Sequence, residues 1–100
     1  MFRQGDVLVV PVSAIPQDVT PIPRENGRVI LAHGEVTGHA HAFAEDGVEM
    51  LMSNGVEFLK VDRVSELMHE EHHTIEFAPG AFKIVHQREY TPEALRPVAD

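Results

Sequence analysis

His39 and His41 stand two residues apart in the run Gly34-Glu35-Val36-Thr37-Gly38-His39-Ala40-His41. In an extended strand such a pair points to one face, where two imidazoles can offer two nitrogens to a single metal ion. Phe43 continues that face, with Ala40, Ala42 and Ala44 on the other. The chain carries 7 histidines in 100 residues, all between His33 and His86. It has no cysteine, which excludes disulfides, thiolate zinc sites and cysteine nucleophiles. A divalent ion here would take imidazole nitrogen and carboxylate oxygen. The third ligand is expected from His69-Glu70-Glu71-His72-His73, and His72 is the residue of choice. His73 competes with it, because strand alternation puts His73 on the face of Ile75 and Phe77. Three protein ligands leave an open coordination position, as in catalytic rather than structural sites.

Other readings of the same residues stand beside this one. His39 and His41 could be polar groups on the solvent face of an edge strand. The 69–73 run could be a solvated acidic loop. His86 shares a face with Phe82 and Ile84 and reads as a core-edge histidine with one hydrogen bond. His33 and His69 read as surface residues. Glu35, four residues before His39, could ligate, orient an imidazole, or act as a general base. Glu89 lies in the polar run Gln87-Arg88-Glu89-Tyr90. It could pair with Arg88 or join a substrate site in which Arg88 grips a carboxylate or phosphate. No phosphate-binding glycine loop is present, and Ser13, Ser53 and Ser65 lack the setting of a nucleophilic serine.

Composition narrows the partners. Sixteen acidic against 8 basic side chains give a net charge of −8, so no nucleic-acid partner is expected. No apolar run approaches the ~20 residues of a membrane span, and the first residues show no signal-peptide pattern. A cytoplasmic protein is the expectation.

The elements that must position the histidines are strands. Val7-Leu8-Val9-Val10 reads as a strand buried on both faces. Glu25-Asn26-Gly27 reads as a tight turn, followed by a strand over Arg28–Ala32. Asp46-Gly47 and Ser53-Asn54-Gly55 read as two-residue hairpin turns, which makes residues 39–61 a three-stranded meander carrying His39 and His41 on its first strand. Residues 65–69 fit a strand or a short helical turn. Thr74–Phe77 and Ala81–Gln87 alternate as strands. Thr91-Pro92 could open one helical turn.

Two resemblances join this reading. His39-x-His41-x-x-x-Glu45 resembles the first cupin motif, in which His-x-His and a following Glu bind a metal. Pro79-Gly80 followed by His86 is similar to the second cupin motif. Over nearly the whole chain, Arg3-Gln4-Gly5-Asp6-Val7-Leu8, Gly34–His41, Glu71-His72 with Ile75, and Pro79-Gly80 leading to Gln87-Arg88-Glu89-Tyr90 resemble a family of short uncharacterised bacterial and phage proteins. That resemblance implies attention to Glu35, His39, His41, His72, Gln87 and Glu89, and implies no reaction.

The sequence therefore predicts one all-β domain over residues 1–100. It is a small barrel or sandwich, cupin-like in motif, of seven or eight short strands with at most one C-terminal helical turn. His39, His41 and His72 are the expected ligands of one divalent ion (zinc, iron, manganese or nickel), with Glu35 and Glu89 as catalytic candidates. The expected activity is metal-dependent chemistry on a small polar or anionic substrate. The alternatives are a non-catalytic protein-binding β module and a metal-free phosphodiesterase using His39 and His72. Exposed strand edges make a homodimer an expectation of the fold class.

Overall fold

A computed structural model describes residues 1–33 and 39–86. The described residues form ten strands and no helix, arranged in two antiparallel sheets. β1 (Phe2–Gln4), β2 (Val7–Pro11), β3 (Thr20–Pro21), β6 (Val48–Ser53), β7 (Val56–Val61) and β10 (Gly80–His86) make a six-stranded sheet in the order β1-β2-β10-β7-β6-β3. β4 (Val29–His33), β5 (Ala40–Phe43), β8 (Ser65–His69) and β9 (His72–Phe77) make a four-stranded sheet in that order. This is the all-β architecture read from the period-two pattern. The helical turn expected at 91–95 lies outside the described residues.

The strands form where the sequence alternates. Val7 and Val9 are fully buried while Leu8 and Val10 are only half-buried. The expectation of burial on both faces of β2 is thus corrected: one face meets the core and the other is partly open, as suits a sandwich. Val48 and Met50 face the same core. Phe77 joins the sheets, its ring 4.6 Å from Phe2, 5.3 Å from Phe82 and 5.6 Å from Phe43 by centroid. Phe2 and Phe82 belong to the larger sheet, Phe43 and Phe77 to the smaller. Truncating a wholly buried phenylalanine costs about 3–5 kcal/mol, a large share of the roughly 5–15 kcal/mol that holds a domain folded.

Turn chemistry explains the hairpins. Asn54 and Gly55 both have positive φ (50° and 78°) and join β6 to β7, the conformation that Asn-Gly favours. Asn26 and Gly27 do the same between the bridged residues Glu25 and Arg28. Asp46-Gly47 does not make a hairpin, and the three-stranded meander is corrected. β5 pairs with β4 and β8, whereas β6 lies in the other sheet. Tertiary bonds decide this crossover: Arg24 donates to the carbonyls of Glu45, Val48 and Gly27, and the Gly47 carbonyl accepts from the Asp62 amide.

Strand direction sets where the histidines go. His33 ends β4, His39 immediately precedes β5, and His41 is the second residue of β5. His69 ends β8, while His72 and His73 begin β9. His86 ends β10 and pairs with Val7 at the start of β2. Antiparallel pairing brings the start of β5, the end of β8 and the start of β9 to one pole of the sandwich, so His39, His41, His69 and His72 gather there.

Candidate functional site

His41, His69 and His72 converge at this pole. One ligand nitrogen from each lies within 4.8 Å of the others. The ring centroids are 4.3 Å apart for His41 and His69, 4.6 Å for His69 and His72, and 5.6 Å for His41 and His72. Nitrogens on one tetrahedral ion at about 2.05 Å sit roughly 3.3 Å apart. The ligand nitrogens would therefore have to close by at most about an ångström and a half to share an ion.

His69 and His72 meet because Glu70-Glu71 is a two-residue turn that makes them a cross-strand pair. Residues directly opposite on an antiparallel pair share a face. The ladder then breaks: two steps on β8, from Leu67 to His69, face three steps on β9, from Ile75 to His72. The extra residue on β9 is a bulge. It lets His72, rather than His73, share the inward face of Ile75, and this is why simple alternation favours the wrong neighbour.

The same break supplies acceptors for a buried glutamine. Gln4, only 2 % exposed, donates through Nε2 to the Leu67 carbonyl at 2.9 Å and the His73 carbonyl at 2.8 Å. Both amide hydrogens are then used, and Oε1 faces His41 Nδ1 at 2.8 Å. That oxygen can only accept, so His41 carries its hydrogen on Nδ1. Burial, reinforced by the nearby His69, lowers the His41 pKa from 6.5 to about 4. The ring is neutral near pH 7, and its Nε2 keeps a lone pair. A histidine held in this way by a partner at its other nitrogen is prepared for ligation.

Gly5 makes room for the cluster. It turns the chain between β1 and β2 with φ +60°. A Cβ placed there would sit 2.8 Å from His72 Nε2 and 3.1 Å from His41 Cε1. The next residue, Asp6, brings Oδ1 to 3.9 Å from His41 Nε2. Glu70 and Glu71 add carboxylates on the other side. Glu70 accepts from the Ala40 amide at 3.0 Å, and that bond holds its pKa below the usual carboxylate value.

His39 lies beside the triad. Its ring is 5.9 Å from His69, edge to face, and its Nδ1 is 3.3 Å from Glu71 Oε2. His86 bonds Glu57 at 3.1 Å, and His33 lies 3.2 Å from Glu25. Glu45 accepts from the Glu66 amide. Neither Glu45 nor His86 joins the triad's nitrogens. Glu35, Gln87 and Glu89 lie outside the described residues. Sequence reasoning placed His69 on the surface and passed over Gln4. A His-x-x-His spacing closed by a two-residue turn was the available signal for His69. Gln4 had none beyond its place next to Gly5-Asp6.

Cavities open on the described surface. One of about 530 Å³ is bounded by Ile15, Leu51, Val61 and Gly80, away from the His41–His69–His72 cluster. One of about 300 Å³, lined by Ala40, Ala42 and Met68, reaches His69 and Glu70. Another of about 310 Å³ is lined by Met52, Lys83 and the Glu57–His86 pair. No helix among the described residues is long and apolar enough to cross a membrane.

Fold and site together define an antiparallel β-sandwich with one histidine-lined pole. The chain belongs to a family known as a domain of unknown function (DUF8820), which it matches over residues 3–87. No curated protein and no solved structure matches it.

Proposed function

We propose that this chain binds one divalent transition ion through His41, His69 and His72, leaving an open position for water or a small polar substrate. The observation that carries this reading is the Gln4–His41 bond, which fixes the tautomer and leaves Nε2 unprotonated within reach of two further imidazoles. Imidazole-only donor sets suit zinc and its borderline neighbours. His69 must give something up to join. Its Nδ1 accepts from the Glu71 amide at 3.0 Å, so in the neutral ring the hydrogen sits on Nε2. Ligation breaks that hydrogen bond or displaces that hydrogen.

A bound ion of this kind lowers the pKa of its water towards about 7, which makes hydrolysis the first activity to assay. The carboxylates of Asp6, Glu70 and Glu71 draw cations towards the pole and disfavour strongly anionic substrates. A neutral or weakly charged polar substrate fits better than a phosphate ester.

Elemental analysis of untagged protein, alongside His41→Ala and His72→Ala variants, tests the proposal. The expected result is at least one zinc, manganese, nickel or iron ion per chain in the wild type, with the triad ion lost from both variants. Absence of metal from the wild type after incubation with each ion, with an unchanged melting temperature, would refute it.

A further inference from the structure

Next to the triad, His39 presents an unusual atom. Its Nδ1 is sealed from solvent and makes no hydrogen bond. Glu71 Oε2 nevertheless lies 3.3 Å away. The two atoms are close without being aligned as donor and acceptor. Ligands of one tetrahedral ion sit at about this separation, roughly 3.3 Å for bonds near 2.05 Å. A buried polar atom left without a partner costs about 1–3 kcal/mol, so the arrangement calls for an occupant.

We propose that His39 Nδ1 and the Glu71 carboxylate form a second divalent-cation site, beside the His69 ring. The site goes beyond the triad reading and relies on it only for its neighbour. The ligand class is a borderline ion such as zinc, which accepts one imidazole and one carboxylate, with water completing its shell from the side of Glu71, whose side chain is 57 % exposed. With two protein ligands instead of three, this site is the weaker of the pair. Its place is fixed by elements already described. His39 sits at the mouth of β5, whose first amide is tied to Glu70, and Glu71 sits in the turn that joins His69 to His72. Both sites therefore draw a ligand from the same turn and its flanks.

Zinc is the probe. The full chain without a tag, stripped with chelator, is titrated by calorimetry, and bound zinc is counted after dialysis. Two ions per chain are expected, one tight and one weak. His39→Gln and Glu71→Gln should each remove the weak ion while changing the tight affinity by less than about threefold, well short of the 10–100-fold seen when an orienting neighbour of a ligand is lost. The glutamine at position 71 keeps the backbone amide that His69 accepts, and circular dichroism checks that each variant folds. His72→Ala should remove the tight ion and keep the weak one. A single ion in the wild type, lost in His72→Ala and untouched in Glu71→Gln, overturns the second site and leaves the triad standing. A single ion whose affinity merely weakens in His39→Gln or Glu71→Gln also overturns it, since these residues would then be serving the triad. No bound zinc overturns both.

Discussion

The turn at Asn54-Gly55 and the turn at Gly5-Asp6 each join antiparallel strands with two residues, and each contains a glycine with positive φ. Around Gly55 there is open space, and an added Cβ would meet nothing within 4 Å. Around Gly5 an added Cβ would meet two imidazoles. The first glycine answers only to the backbone. The second answers to the backbone and to the site, and its neighbours Gln4 and Asp6 both reach His41. A two-residue glycine turn thus serves as a plain connection at one place and as one wall of a binding pocket at another.

Removing Gln4 should break this contrast most severely. Gln4→Ala leaves His41 Nδ1 and the carbonyls of Leu67 and His73 without their partner. The expected loss is about 3 kcal/mol of stability, measured by urea unfolding, together with a drop of about 10–100-fold in metal affinity. Asn54→Ala, by contrast, should lower stability by about 1 kcal/mol and leave metal affinity unchanged.

A paired glycine substitution sharpens the comparison. Gly5→Ala and Gly55→Ala each impose a left-handed backbone on alanine, at about 1 kcal/mol. Only Gly5→Ala also pushes the His72 ring aside. Gly5→Ala should lose more thermal stability than Gly55→Ala and, unlike it, should also lose zinc affinity. Equal zinc affinities would show that Gly5 has no part in the site.

A pH-dependent effect follows from His41. Its pKa is about 4 in the folded chain, against the 6.5 of an unperturbed histidine. Between these values the unfolded chain binds a proton that the folded chain refuses, so acidification favours unfolding. Metal-free protein should lose stability as pH falls from about 6.5 towards 4, with no contribution from this group above that window. A His41→Asn variant should lack this part of the slope in melting temperature against pH. The smallest effect expected is local: metal uptake should alter hydrogen exchange at the Glu71 amide while that of Asn54-Gly55 stays the same.

How much of this could be read in advance differs from element to element. Asn54-Gly55 and Asn26-Gly27 announce their turns, since few residues tolerate positive φ. Alternation gives most strands and the inward side of Phe43. The partners of β5 could not be read, because the bonds that carry the chain from one sheet to the other come from Arg24 and Asp62, distant in sequence. His41 and His72 stand out by spacing and company. His69 was hidden by the acidic turn that presents it, and Gln4 by the absence of any local pattern. A buried amide acts through carbonyls on strands more than sixty residues away.

The gathering of His39, His41, His69 and His72 at one pole has a practical consequence for labelling. Val64, 55 % exposed, precedes β8 at the other pole, and the chain contains no cysteine. Val64→Cys would therefore create the sole thiol in the molecule, remote from every candidate ligand. A fluorophore or surface tether attached there leaves the histidine pole facing freely into solution.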